Sequence, residues 1–293
     1  TDLTSDRYVI VVNEDCDDIL DDDGEPTSET IVVRQGDLAS DIVDAFVTDT
    51  SQWFFWNDES DTLNNTLGSF VNGPETAPLG SGSAQMSVTG TERRNIATYQ
   101  FKNVKLADIE ELTFSTYSQL AGDGALGLSE RGPYLHFNVD FANDDTWQRR
   151  LVFVPAQNGA VVADAWQDWD AIASGAAVWV YSGPTWPATA EAEVGVPGTT
   201  GKTWAEILVD YPLAETRSSD SWFGFRVGEP YVDGFTGNVD NFTIRIDNGV
   251  TDHTKTFDFE PTPIISTDDS ITTTSGGGGG SSKKKAAGAV LGA

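Results

Sequence analysis

The chain of 293 residues carries 46 acidic and 17 basic residues, a formal net charge of -29. This charge argues against a nucleic-acid partner, because phosphate contacts need clustered cations. No apolar run reaches the roughly 18 residues that span a bilayer, and a single cysteine, Cys16, excludes an internal disulfide and a cysteine-based zinc site. The chain begins with Thr1 rather than methionine, which predicts a removed leader and an extracellular or cell-surface protein.

Residues 1–50 form an N-terminal extension. Residues 8–12 and 30–33 are short apolar runs that predict two strands, and the acidic segment 13–25 separates them. Such strands either complete the main sandwich or pair with another subunit. The acidic segment lacks the spacing of an EF-hand, which leaves a solvated loop or loose calcium binding between subunits. Residues 37–47 have the apolar spacing of a short helix.

Residues 51–261 alternate short apolar segments with turns rich in glycine and asparagine. This pattern predicts an all-β domain, a β-sandwich with long aromatic loops. Residues 262–293 change in character: a strand-like connector rich in threonine and serine is followed by a tail of glycine, serine and lysine. The tail is interpreted either as a solubilising remnant or as a tether, a processing signal or a contact with an acidic neighbour.

Several short segments follow one another in a characteristic order: WFFWN (53–57), FVNGP (70–74), PLGSGS (78–83), KLADI (105–109), FSTY (114–117), WQRRL (147–151), WQDWD (166–170) and FDFE (257–260). Their order resembles a jelly-roll β-sandwich domain, of the carbohydrate-binding-module kind, found in secreted and cell-surface bacterial proteins without an assigned function. The resemblance covers about residues 31–261 and implies an extracellular sandwich, with no catalytic residues to transfer.

Two segments near the C-terminus, residues 237–246 and 256–260, predict a hairpin that closes the sandwich. A period of two places Asp240 on the buried face with Phe242, where an unpaired carboxylate is costly. Either a cation or several hydrogen-bond donors must stabilise it. Two interpretations stay open: a carboxylate bonded to loop amides, or a calcium ion, which prefers oxygen ligands. The predicted ligands are Asn238, Asp240 and Asn241 with Asp58 or Glu59.

A polar stripe predicts a binding surface. Tyr134, His136, Asn138 and Asp140 alternate with apolar residues, so one strand displays four polar side chains on one face. The segment 222–226 likewise predicts that Trp222 and Arg226 are exposed on a strand, while its phenylalanines are buried. If the two strands are neighbours, they offer a sugar both stacking and hydrogen bonds. The alternative is an ordinary solvated face, or one that loops cover.

The nine tryptophans leave the same two interpretations open, because exposed rings bind sugars and buried rings fill irregular cores. Two or three exposed rings are expected. The candidates in the loop-rich middle of the chain are Trp166, Trp169, Trp179, Trp186 and Trp204.

Catalytic motifs are missing from the sequence: it contains no G-x-S-x-G, no H-E-x-x-H and no phosphate-binding loop. The sequence therefore predicts a non-enzymatic structural or adhesive surface protein, which self-associates into a fibre through its terminal strands or binds other surface proteins. A carbohydrate-binding module with a glycan ligand is the alternative. An enzyme acting on polysaccharides is the third interpretation.

Overall fold

A computed structural model describes residues 27–40, 53–119, 132–146, 148–228 and 234–262. The chain divides at Thr262, and every described residue lies in the unit that ends there. The predictions for Cys16, residues 8–12, the acidic segment 13–25 and the tail 263–293 lie outside the described residues, as does most of the predicted helix 37–47.

Strands dominate the described ranges, and two short α-helices accompany them. The helices are α1 (Pro155–Asn158) and α2 (Trp204–Asp210). In chain order the strands are β1 (Thr27–Arg34), β2 (Trp53–Asn57), β3 (Thr62–Leu63), β4 (Gly68–Asn72), β5 (Gly82–Val88), β6 (Arg93–Thr98), β7 (Ile109–Ser118), β8 (Tyr134–Asp140), β9 (Arg150–Phe153), β10 (Trp166–Asp170), β11 (Val178–Tyr181), β12 (Lys202–Thr203), β13 (Glu215–Thr216), β14 (Phe223–Gly228), β15 (Phe235–Asp247) and β16 (Asp252–Glu260). None of the helices in these ranges is long and apolar enough to cross a membrane.

The strands form two sheets that face each other, which confirms the predicted all-β jelly-roll sandwich. In the seven-stranded sheet the order is β1-β16-β15-β5-β4, while β7 pairs with β15 and β10 with β7. In the nine-stranded sheet the order is β12-β11-β9-β8-β14-β6-β2-β3, with β13 paired to β8. The long strand β15 pairs with β7 on one side and with β5 and then β16 on the other.

Aromatic rings fill the space between the sheets. Trp53 of β2 is fully buried and meets Phe242, Phe257 and Phe259 of the opposite sheet edge-on, with ring centroids 5.0–5.9 Å apart. Aromatic side chains bury roughly 150–250 Å² each, so a few of them supply much of the core. Alternation along the strands turns the intervening side chains to the two outer faces.

Strand β1 decides between the two interpretations of residues 30–33. It pairs in parallel with β16, with Ile31 opposite Phe257 and Val33 opposite Phe259. Both apolar side chains are buried in the main core. This part of the N-terminal extension therefore completes the sandwich of its own chain.

The hairpin of β15 and β16 confirms one prediction and corrects another. Phe257 and Phe259 point into the core as expected. Asn241, however, has a left-handed φ of 52°, and the pairing with β7 shifts register there, so the strand contains a bulge. Both Val239 and Phe242 pack in the core, which regular alternation does not allow. Asp240, next to Val239, therefore lies on the outer face of the seven-stranded sheet, and its predicted inward orientation is wrong.

Candidate functional site

The outer face of the nine-stranded sheet brings together five of the six predicted ligand-binding residues. Strands β8 and β14 are neighbours: Tyr134 lies opposite Arg226, His136 lies opposite Gly224, and Asn138 donates its backbone N–H to the carbonyl of Trp222 at 2.8 Å. Directly opposite residues of an antiparallel pair point to the same side. We call this surface the polar face; its residues are Trp56, Asn95, Tyr134, His136, Asn138, Arg150, Trp222 and Arg226.

Asp140, the sixth predicted residue, has a different role. Its carboxylate accepts the backbone N–H of Ala142 at 3.0 Å and that of Asp145 at 2.5 Å. It thereby closes the turn after β8, and it lies opposite Glu215 of β13. Because an aspartate readily bonds to backbone amides just beyond it, a strand-end position favours this local role.

Exposure of the polar stripe is the part of the prediction that the structure contradicts. His136 and Asn138 are each 1% exposed, and Trp222 is 2% exposed. Tyr134 and Arg226 are half-buried. His136, Asn138 and Trp222 therefore form a buried floor, and the half-buried side chains form its rim.

Trp222 owes part of its burial to aromatic residues of neighbouring segments. Its ring lies 5.5 Å from Phe54, 5.4 Å from Trp56 and 6.0 Å from Tyr99, measured between centroids. Ala39 and Ala97 belong to the same apolar cluster. This second cluster lies on the far side of the sheet from the main core, and period-two alternation alone does not reveal it.

An ion pair with Asp58 fixes Arg226 at the rim of the polar face. Arg226 contacts the carboxylate of Asp58 and donates from Nε to Asn95 Oδ1 at 2.7 Å. The amide of Asn95 in turn donates to Asp58 Oδ1 at 3.1 Å. Charge-assisted hydrogen bonds of this kind are about twice as strong as neutral ones, so Arg226 has a defined orientation at the rim.

Two polar atoms of the floor have no hydrogen-bond partner: Nε2 of His136 and Nε1 of Trp222. The rings that carry them lie 6.0 Å apart. Burial, with the charges of Arg226 and Arg150 nearby, lowers the pKa of His136 well below its usual value, so the imidazole is neutral at pH 7. A buried polar atom without a partner costs about 1–3 kcal/mol. Both atoms are shielded from solvent, so they belong to the interior of the floor rather than to its surface.

Sequence reasoning missed three residues of the polar face: Trp56, Asn95 and Arg150. Arg150 lies opposite Asn138 in the pair of β8 and β9, and Asn95 lies between Trp56 and Arg226 in the sheet. Each strand shows the alternation that turns these side chains outward, but only the order of the strands shows that they meet.

The tryptophans mostly pack inward. Trp53, Trp169, Trp179, Trp186, Trp204 and Trp222 are buried. Trp56 and Trp166 are half-buried, so no tryptophan in the described ranges is fully exposed. The expectation of two or three exposed rings is therefore wrong for this part of the chain, and the middle segment uses its tryptophans as core.

Asp240 is fully buried beneath the segment that joins β4 to β5. Its Oδ2 accepts the backbone N–H of Leu79 at 3.0 Å, and its Oδ1 accepts that of Phe259 at 3.1 Å. Burial raises the pKa of Asp240 to about 8, although the N–H groups of Phe259, Asn241 and Leu79 act in the opposite direction. This arrangement matches the alternative stated for Asp240, a carboxylate bonded to loop amides.

The five predicted calcium ligands do not meet at one point. Asn238 bonds to Ser83 Oγ at 2.9 Å on the outer face of the seven-stranded sheet. Asp58 and Glu59 belong to the other sheet, where Asp58 pairs with Arg226 and Glu59 pairs with Arg94 at 2.7 Å. Within the described ranges, no group of three histidine, cysteine or acidic residues is placed to hold a metal ion. The five predicted residues therefore cannot hold one calcium ion together.

Another acidic pair lies near Asp240. A Cβ atom added to Gly80 would lie 1.9 Å from Glu260 Oε1 and 2.8 Å from Asp258 Oδ2, so the two carboxylates line the turn at Gly80. Asp258 is 7% exposed, and its Oδ1 has no hydrogen-bond partner. Burial and the neighbouring Glu260 raise the pKa of Asp258 to about 6. Calcium binding by this chain stays a prediction, and this pair is the place to test it.

No protein-family model matches the chain, and no curated protein sequence matches it. Among solved structures, the chain is similar to the carbohydrate-binding module TmCBM61, which was solved in complex with β-1,4-galactotriose. The similarity covers 67% of this chain and 90% of that one, with 9% sequence identity and a TM-score of 0.33.

Proposed function

We propose that the protein is a non-catalytic, extracellular carbohydrate-binding protein whose polar face recognises the sugar. The observation that carries the proposal is the rim of the polar face, where the half-buried side chains of Trp56, Tyr134, Arg150 and Arg226 come from strands of one sheet. Aromatic rings beside hydrogen-bond donors suit the apolar and hydroxyl groups of a sugar. The sequence interpretation of a carbohydrate-binding module is thus preferred to its structural and adhesive alternative.

The composition of the rim supports a sugar over a metal or a reactive substrate. Trp56 and Tyr134 supply aromatic area, and Arg150 and Arg226 supply hydrogen-bonding groups, the combination expected of a saccharide site. Glycoside hydrolysis would need two carboxylates, one of them a proton donor. Asp58, which borders the face, is already engaged by Arg226 and Asn95.

A screen of the full chain on a glycan array, followed by calorimetric titration of the best ligand, tests the proposal. Trp56→Ala removes the largest aromatic ring of the rim, and we expect it to weaken binding about 5- to 30-fold, or roughly 1–2 kcal/mol. Tyr134→Ala should weaken binding similarly. The matched control is Trp166→Ala, a half-buried tryptophan of the other sheet, which should leave affinity unchanged.

Failure of the wild-type protein to bind any glycan would contradict the proposal. So would binding that survives both Trp56→Ala and Tyr134→Ala while it is lost in Trp166→Ala. Thermal melting of each variant shows that a loss of binding does not come from a loss of folding.

Fibre formation through the terminal strands is the second candidate function. Among the described residues, β1 is an edge strand, since it pairs only with β16. An open strand edge is a site where another chain can add a strand. Size-exclusion chromatography and negative-stain imaging, with and without residues 1–26, test this proposal. Strictly monomeric protein in both forms would refute it.

A further inference from the structure

Arg150 occupies a distinctive position on the polar face. It begins β9, is half-buried, and donates from Nε to Asn138 Oδ1 at 3.1 Å. Its guanidinium carbon lies 5.2 Å from the centre of the Trp222 ring, within the range of a cation–π contact. The guanidinium of Arg150 therefore lies over the ring of Trp222.

The neighbouring arginines have acidic partners, whereas Arg150 does not. Arg226 pairs with Asp58, and Arg94 pairs with Glu59. No carboxylate in the described ranges lies within ion-pair distance of Arg150, although the chain has 46 acidic residues to draw on. Asp58 and Asp220 act on Arg150 only at longer range, and each directly contacts another arginine, Arg226 and Arg217 respectively.

This placement puts a positive charge without a direct acidic contact in a partly dry environment. Burial and the charge of Arg226 lower the pKa of Arg150 to about 10, against the opposite effect of Asp58 and Asp220, so the guanidinium stays protonated at pH 7 but is less stable there than in water. The polar face therefore has a guanidinium that no carboxylate of the described residues contacts, while the whole chain is strongly negative.

We infer that the carbohydrate recognised by the polar face is acidic, and that Arg150 binds the carboxylate of a uronic acid residue. The inference rests on the proposed function and adds the chemical class of the sugar. A guanidinium presents a planar fork of donors that matches a carboxylate, and its Nη groups are not engaged by Asn138. Trp56 and Tyr134 at the rim remain for the other groups of the same sugar.

Calorimetric titration with trimers of galacturonate, glucuronate, mannuronate and guluronate, at 0.15 M salt, tests the inference in the full chain. The salt limits the range of repulsion by the acidic surface to about 8 Å. The tightest-binding trimer is then compared with its methyl ester, which has the same rings and no charge. We expect the acid to bind about 10- to 100-fold more tightly than the ester, as a charge-assisted bidentate contact predicts.

Three variants locate the effect. Arg150→Gln should abolish the preference for the acid over the ester, and Arg150→Lys should restore part of it, because the charge returns without the fork. Arg149→Gln is the matched control: this adjacent arginine is exposed, and its replacement changes the net charge equally. We expect the control to keep the preference. Melting temperatures of the Arg150 variants should equal or exceed that of the wild type, since an unpaired charge is removed or made easier to solvate.

Each outcome separates the inference from the function beneath it. Equal affinity for the acid and its ester, or an acid preference that survives Arg150→Gln, overturns the inference and leaves carbohydrate binding intact. Stronger binding to a sulfated neutral polysaccharide than to every uronate overturns the assignment of a carboxylate. Absence of binding to charged and neutral glycans alike refutes both proposals.

Discussion

Replacing Asp240 by asparagine tests how a buried carboxylate affects the stability of the sandwich. Asparagine has nearly the shape of a protonated aspartate, and it cannot ionise. It keeps one carbonyl oxygen to accept an N–H from Leu79 or Phe259, but not two carboxylate oxygens. The variant therefore matches the neutral form of the native side chain in charge at every pH, although its amide NH₂ cannot accept the second N–H.

The expected magnitude follows from the raised pKa. The pKa of Asp240 is about 8 in the folded protein, against about 3.9 for aspartate in an unfolded chain. Between these values the folded state holds a proton that the unfolded state has released, so stability is full below about pH 4 and falls as pH rises. From about pH 4 to pH 7 the free energy of unfolding falls by about 1.4 kcal/mol for each pH unit, so it is about 4 kcal/mol lower at pH 7 than at pH 4.

Urea unfolding at pH 4, 5.5, 7 and 8 measures this effect. We expect Asp240→Asn to be more stable than the wild type at pH 7 by up to about 4 kcal/mol and to lose the corresponding slope with pH. The control is Asp247→Asn, on the same strand, which changes the net charge equally; it should retain the slope. If Asp240→Asn is instead less stable than the wild type at pH 7, the backbone N–H groups hold the carboxylate ionised and the reasoning is wrong.

Three further predictions concern other parts of the fold. Thr203→Ala should lower the free energy of unfolding by about 1 kcal/mol in urea titrations, since it removes the capping bond from the N–H of Glu206 at the start of α2; no loss would exclude a stabilising cap. Gly224→Ala should lower the free energy of unfolding by about 1–3 kcal/mol in urea titrations, because the added Cβ would lie 2.2 Å from the carbonyl oxygen of Ile96. An unchanged stability would show that the sheet accommodates the methyl group at little cost. Calcium should raise the melting temperature of the wild type more than that of Asp258→Asn, and equal shifts would place the ion elsewhere.

For the polar stripe, the local sequence pattern predicts side-chain orientation but not burial. Alternation in 134–140 predicts which side chains point away from the core, and the structure confirms that orientation for His136 and Asn138. Pattern does not predict burial, because the rings that surround Trp222 come from β2 and from the segment after β6. Those contacts depend on the order of strands in the sheet, which a single sequence does not specify.

The pairing of charges at Arg150 and Asp58 likewise depends on strand order. Both are polar residues in or beside short strands, and nothing local distinguishes a paired charge from an unpaired one. Strand order brings Arg226 to Asp58 and leaves Arg150 beside Trp222. The guanidinium without a direct acidic contact, on which the proposed ligand class depends, is therefore a property of the assembled sheet.

The sequence by itself determined the all-β class, the closing hairpin and the inward orientation of Phe257 and Phe259, because period-two alternation and turn residues act over a few neighbouring positions. Only the tertiary structure decided where Asp240 points, since a one-residue bulge at Asn241 reverses the faces of the strand around it. It also decided which polar atoms lack a partner, because partners come from segments far apart in the chain. The binding site belongs to that second category.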